Sequence, residues 1–364
     1  MVRIRVRGEQ IRRYILENVT GHSEDISKVT AEEFGITRQA VNKHLHRLTS
    51  EGCINERGKT RNRTYKLASI VESQNTYSLT APDLAEDIIW TRDIRPVLEH
   101  LPDNVLDIWQ YGFTEIVNNA IDHSGGSHLF VHISKTAVDT TIYIDDDGVG
   151  IFKKIQTALG LLDERHAVLE LSKGKLTTDP AHHTGEGLFF TSRMFDRFDI
   201  MSGGVFFNHS FGEEEDWIWE NTLGSGTTVF LKLSNHTART TKLVFDQYAS
   251  PDGDYAFTKT VVPVKLAQYG DDKLVSRSQA KRLLSRVELF KTVMFNFAEV
   301  ESVGQAFADE IFRVFASAHP EIILIPYNHN EEVQRMIARG KSVGNVEAEA
   351  EKQIEAEKQI ESEK

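Results

Sequence analysis

Between residues 113 and 124 the chain reads FTEIVNNAIDHS, an apolar helix face set against an acid, two amides, another acid and a histidine. At ~100° per residue, Glu115, Asn119 and His123 fall at successive i, i+4 positions, with Asn118 and Asp122 beside them. Ile116, Val117, Ala120 and Ile121 take the opposite, buriable side. Alone, such a stripe is a solvated face, and its meaning depends on what else the chain offers. The next stretch, IDDDGVGI, alternates Ile142 and Ile144 with Tyr143 and then turns at Asp147-Gly148-Val149-Gly150. A buried carboxylate there could accept a hydrogen bond from an exocyclic amine such as that of adenine, and Gly148 and Gly150 would let a ligand approach the backbone. A plain strand ending in an Asp-Gly turn is written the same way. In HHTGEGLFFTSRMFD, Gly185 and Gly187 precede a helix whose free N–H groups could cradle a phosphate. In LGSGTTVFLKL, Gly226 and Thr227 open a strand and place a hydroxyl at its entrance.

The elements that must position these residues follow from periodicity. EDIIWTRDIRPVLEHLP reads as a helix that Pro96 kinks or divides, and VLDIWQYGFTEIVNNAIDHS as a long helix. HLFVHIS, TTIYIDDDG, FDIMSG and TTVFLKL read as strands, and LFFTSRMFD as a helix. Together they define a mixed α/β region over 83–235. Ahead of it, residues 69–82 (SIVESQNTYSLTAP) are polar and turn-prone, as in a linker.

Residues 1–68 read as three short helices and a hairpin: EQIRRYILENV, VTAEEFGI, ITRQAVNKHLHRLTSEG, then CINERGKTRNRTYKLA with Gly58 near its tip. Val41, Leu45 and Leu48 line one side of the third helix, while Arg38, Gln39, Asn42, Lys43 and Arg47 occupy the other. Those side-chain types bond base edges and phosphates, and Arg57, Lys59, Arg61 and Arg63 in the hairpin could follow a sugar–phosphate backbone. The segment resembles a winged helix-turn-helix domain over its whole length, which implies DNA binding, with protein docking as the alternative. Charge agrees: the net −12 divides into +6 for residues 1–68, with fourteen Lys/Arg against eight Asp/Glu, and −18 for the rest.

The order of the motifs in 83–235 carries a second resemblance. An E-x-x-x-N helix, a D-x-G-x-G strand exit, a G-x-G-L helix start and a GT strand start resemble the nucleotide-binding fold of the GHKL ATPases, in which helices cover one face of a mixed sheet. NNAIDHS and GTTVFLKL look most like the anti-sigma-factor serine kinase branch of these histidine-kinase-like proteins. The resemblance implies Mg²⁺ and ATP as cofactors. Asn119 would ligate the Mg²⁺, and Glu115 would be the catalytic group that polarises a water or a substrate hydroxyl. Asp147 would read the adenine amine with support from Thr227, Gly148 and Gly150 would line the base pocket, and Gly185 and Gly187 would face the phosphates. Residues 151–184, of weak periodicity, would be a mobile lid, with Lys173 and Lys175 as phosphate contacts or merely solvated lysines. The segment departs from many relatives in reading GEGLFF, where they have a further glycine or a long aliphatic start.

From 256 to 340, strand-like FTKTVVPVKL, LFKTVMFNFAEV and IILIPYN alternate with helical SRSQAKRLLSRV, VGQAFADEIFRVFASA and EEVQRMIARG, an α/β layer. This resembles a STAS-like domain, the fold of anti-sigma-factor antagonists. In that likeness Ser302, after Glu301 and before Gly304, stands at the phosphoacceptor position; its plainer role is a helix N-cap. The tail, 341–364, repeats EKQIE(A/S) and reads as charged and solvated.

The expectation is thus a multidomain α+β and α/β chain: winged helix, linker, ATP-binding sandwich, STAS-like domain and tail. No run approaches the ~18 apolar residues of a membrane span, the basic start lacks the pattern of a secretory signal, and Cys53 is the single cysteine. These features point to the cytoplasm. The function implied is a bacterial regulator in which Mg-ATP binding, with hydrolysis or serine phosphoryl transfer, is coupled to DNA binding and to a protein partner or the chain's own STAS-like domain, as a monomer or homodimer. The alternatives are an ATP-sensing transcription factor without catalysis and a protein-docking switch of a stress or phage response without DNA.

Overall fold

In a computed structural model of the chain, residues 2–58, 62–177, 184–212, 216–220, 224–249, 256–268 and 273–341 are described. Lys59, Arg61 and the tail beyond Lys341 lie outside them. Three helices, α1 (Val2–Asn18), α2 (Ile26–Phe34) and α3 (Arg38–Ser50), precede an antiparallel pair, β1 (Ile54–Arg57) and β2 (Thr64–Leu67), in register Ile54 to Leu67. The Thr37 hydroxyl accepts from Ala40 N at 3.2 Å and caps α3. Val41, Leu45 and Leu48 turn inward as their spacing predicts and pack with Ile11, Ile15, Val19, Ile26, Ile54 and Tyr65.

The chain continues through β3 (Val71–Ser78), α4 (Glu86–Ile89), a π-helical turn (Trp90–Ile94), α5 (Arg95–Leu98), α6 (Asp103–His123), β4 (His128–Lys135) and β5 (Asp139–Asp146). Residues 69–82, expected as a linker, are mostly β3 instead. It pairs antiparallel with β4, and Tyr77 is buried with its hydroxyl donating to Asp93 Oδ2 at 2.8 Å. Between Val71 at its start and Tyr77 near its end the strand is polar on both faces, so no alternation marks it. Pro96 does divide its helix: the turn before it is π-helical, and the proline sits in the first turn of α5, where its missing N–H costs least.

Next come α7 (Ile151–Leu159), α8 (Glu164–Lys173), α9 (Gly187–Met194), β6 (Arg197–Ser202), β7 (Val205–Ser210), β8 (Asp216–Glu220), β9 (Thr227–Ser234) and α10 (Thr241–Tyr248). The described chain forms two compact units, one of residues 1–146, 195–197 and 228–239, the other of the rest. In the first, strands lie in the order β3-β4-β5-β9; in the second, in the order β6-β7-β8. Within the first unit α6 is fixed by Trp109, fully buried and edge-on to Phe195 at 4.8 Å, and by Asn104 Nδ2, which donates to the carbonyls of Thr237 and Arg239 at 2.8 Å each.

The second unit ends in a separate parallel sheet, β10 (Lys259–Pro263), then β11 (Thr292–Asn296) and β12 (Ile323–Tyr327), in that order. Its first crossover holds α11 (Arg277–Leu284), started by a capping box of Ser276 and Gln279. Its second holds α12 (Gln305–Asp309), continued through a π-helical turn (Glu310–Phe315) into α13 (Ala316–Ala318). A last helix covers 331–341. Every strand and helix anticipated from 256 onward is present in the anticipated order.

Candidate functional site

On α6, Ile116, Val117 and Ala120 are buried, which leaves Glu115, Asn118, Asn119 and His123 half-buried and Asp122 exposed along one flank. Asn119 Nδ2 donates to the carbonyl of Glu115 at 2.8 Å. With its nitrogen committed to the backbone, the amide keeps Oδ1 as its acceptor, on a residue one turn along the helix from Glu115. A neutral amide oxygen is a hard ligand suited to Mg²⁺. No group of three or more His, Cys, Asp or Glu among the described residues could hold a metal, so an ion at Asn119 would rely on oxygens brought by its own ligand.

At the exit of β5 the structure corrects the sequence reading by one residue. Thr140, Ile142, Ile144 and Asp146 share the buried face of the strand, and Asp146 is 8% exposed. Asp147, expected as the buried carboxylate, is exposed. Period-2 alternation carried from Ile142 and Ile144 lands on Asp146, as does D-x-G-x-G spacing read back from Gly148 and Gly150.

In the second unit, Gly150 and Thr227 are brought together. Gly150 has φ 95°, and a Cβ there would stand 2.7 Å from Ser202 Oγ and 3.2 Å from the carbonyl of Gly226. Ser202 Oγ donates to that carbonyl at 3.0 Å, and the buried Thr227 hydroxyl accepts from Ile151 N at 3.0 Å, which leaves its own proton to donate. Gly148 is buried two residues earlier. Gly150→Ala is therefore expected to cost about 1–3 kcal/mol from the backbone alone, read as a shift in the denaturation midpoint. An unchanged midpoint would show that the corner relaxes freely.

Gly185 and Gly187 flank the start of α9. Gly185 has φ 71°, its carbonyl accepts from Leu176 N at 2.9 Å, and a Cβ on it would meet the Leu176 backbone at 2.4 Å. Between the glycines, burial raises the Glu186 carboxyl while the charge of Lys175 opposes the shift. The described part of 151–184, of weak periodicity in the sequence, is largely helical. It forms α7 and α8, and every residue of α8 from His166 to Lys173 is buried, so no polar face produces a helical period. Lys173, considered as a phosphate contact, is fully buried and donates to Glu170 Oε1 at 2.8 Å and to the carbonyl of Ser285 at 2.8 Å. Lys175 donates to the carbonyl of Leu289 at 3.0 Å. A cleft of about 540 Å³ lined by Glu186, Phe190, Phe245, Asp246 and Phe257, among others, contains none of the residues singled out from sequence.

On α3, Arg38, Gln39, Asn42, Lys43 and Arg47 are all exposed. Asn42 Oδ1 accepts from Ser27 Oγ at 3.1 Å, and Arg47 Nε pairs with Glu51 at 2.6 Å. His46, one turn beyond Asn42, shares this face and was not among the sequence candidates. In the C-terminal part, Ser302 is half-buried, and the N-cap of α12 is Gly304, so Ser302 does not cap that helix. Asn330 Nδ2 holds the backbone before it, donating to the carbonyls of Glu301 at 2.8 Å and Val300 at 3.1 Å.

The chain is thus a mixed α/β protein whose described helices include none long and apolar enough to cross a membrane. Residues 279–334 match the family described as a STAS-like domain of unknown function (DUF4325), and they run from within α11 into the last helix. Within the C-terminal segment, residues 279–334 are a STAS-like domain. No curated protein matches the chain.

Proposed function

We propose that residues 83–235 are an ATP-binding domain of the GHKL type, coupled to a DNA-binding winged helix at 1–68 and to the C-terminal STAS-like domain. The observation that supports this is Asn119, half-buried on α6 one turn from Glu115, whose amide nitrogen is tied to the Glu115 carbonyl and so leaves the amide oxygen as the group for a cation. In this reading Asn119 holds a Mg²⁺ that arrives on ATP phosphates. Asp146 takes the adenine-reading role first given to Asp147, with Thr227 in support and Gly148 and Gly150 beside the base. Gly185 and Gly187 offer backbone N–H groups to the phosphates. The bound ion would spread the charge that develops on the transferred phosphoryl group. The chain's own contribution is the Glu115 carboxylate, which orients a water or a serine hydroxyl and takes up its proton.

Mass spectrometry and phosphate release after incubation with Mg-ATP test this. Wild-type protein is expected to release phosphate or to gain a phosphoryl group on a serine, Ser302 being the foremost candidate. Glu115→Ala should still bind nucleotide and turn over at least ~100-fold more slowly. Equal turnover by the two proteins would remove Glu115 from the chemistry, and binding without any turnover in the wild type would favour an ATP sensor.

The exposed set on α3 supports the DNA role. Lys43→Ala is expected to weaken binding to mixed-sequence duplex and to flatten its salt dependence by about one unit of slope. No duplex binding by the wild type at low salt would instead make residues 1–68 a protein-docking module.

A further inference from the structure

The STAS-like domain touches the segment that leads, through Leu176, to the backbone that the proposed nucleotide site offers to phosphate. Arg286, in the turn after α11, donates from Nη1 to Glu170 Oε2 at 3.1 Å and from Nη2 to the carbonyls of Gly174, at 3.3 Å, and Lys175. Lys175 answers from the other side: Nζ donates to the carbonyl of Leu289 at 3.0 Å and lies 5.0 Å over the Phe290 ring. The next residue, Leu176, donates from N to the carbonyl of Gly185 at 2.9 Å, while the Lys175 charge acts on Glu186. Arg286 (φ 62°) and Lys175 (φ 52°) both hold left-handed backbone, a conformation costly for residues with a Cβ. Strain on both sides of one joint persists only where the surroundings enforce it.

We infer that Arg286 of the STAS-like domain is a positioning residue for the Gly185–Gly187 backbone, so that this domain tunes how well the site grips phosphate. The route is short. Arg286 fixes the carbonyls of 174 and 175, which fixes Leu176, whose N–H fixes Gly185. A modification or partner that pulls residues 285–290 away would loosen the phosphate side and leave the adenine side alone. By reciprocity, phosphate bound at Gly185–Gly187 would stabilise the 285–290 contact.

The inference rests on the proposed nucleotide site for its ligand but not for its geometry, and the test separates the two. Arg286→Met and Arg286→Lys would be compared with wild type for binding of Mg-ATP and of adenosine. Hydrogen exchange would be followed in peptides spanning 184–190. Arg286→Met is expected to weaken Mg-ATP at least tenfold with adenosine unchanged, and to speed exchange at the start of α9 at least tenfold while α6 keeps its protection. Arg286→Lys, which keeps charge without the fork, should recover part of both. Should Arg286→Met fail to fold, Arg286→Lys alone is compared with wild type, with smaller changes of the same kind expected. Equal loss of adenosine and ATP, or unchanged exchange at 184–190, would overturn the inference. If the wild type binds no nucleotide, the exchange result still decides what Arg286 positions, and the failure lies with the nucleotide reading.

Discussion

Glu170→Ala is expected to destabilise the second unit by about 3–5 kcal/mol, enough to unfold many domains. Glu170 and Lys173 are both fully buried, and the Glu170 carboxylate is the charge that the Lys173 ammonium, Arg286 Nη1 and His166 Nε2 (3.6 Å away) surround. Burial alone would raise this carboxyl, yet the His166, Lys173 and Arg286 interactions together take it below its ordinary value. Removing it strands an ammonium with only backbone carbonyls for company, and burial already lowers that lysine. The same group sets a pH dependence. Because its folded-state pKa lies below the unfolded value near 4.5, its stabilisation is fully present above that pH and is lost as pH falls through the folded value. Urea midpoints taken from about pH 7 to about pH 3 should fall on the acid side for the wild type and fall less steeply for Glu170→Gln. Parallel curves would mean that the carboxyl titrates alike in the folded and the unfolded chain.

Asn119→Ala is expected to leave the fold intact and to weaken Mg-ATP by about 100-fold or more, at least about 2.7 kcal/mol. Alanine is the better helix former, and the lost bond runs from a half-buried side chain to a carbonyl within the same helix, so stability should hold or rise slightly. The loss should be larger with Mg²⁺ present than with EDTA, since only the metal-bound form uses Oδ1. Equal weakening under both conditions would point to a contact with the nucleotide itself.

What could be read in the sequence follows the clarity of its periodicity. Val41, Leu45 and Leu48 face inward as spaced, and the C-terminal strands and helices emerge in order because apolar strands alternate with polar-faced helices. The flank of α6 that carries Glu115 and Asn119 was legible for the same reason: Ile116, Val117 and Ala120 fix which side of the helix is buried. α8 and β3 were missed from opposite causes. α8 is buried from His166 to Lys173, so Lys173 read as a solvated or phosphate-binding lysine, because its partners near residues 282–285 lie far along the chain. β3 is polar on both faces between Val71 and Tyr77 and is held by its pairing with β4 and by the buried tyrosine. Asp146 was within reach, since strict alternation from Ile142 selects it over Asp147. The joint at Arg286 was not, because it depends on contacts between residues more than a hundred positions apart.

Isothermal titration of the full chain with ATP in the presence of Mg²⁺ bears most directly on the proposed site, with Asn119→Ala as the paired sample. A saturable heat near one nucleotide per chain, lost in the variant and reduced by chelating the metal, is the expected result. An absence of heat from correctly folded wild-type protein, or an identical isotherm from the variant, would contradict it.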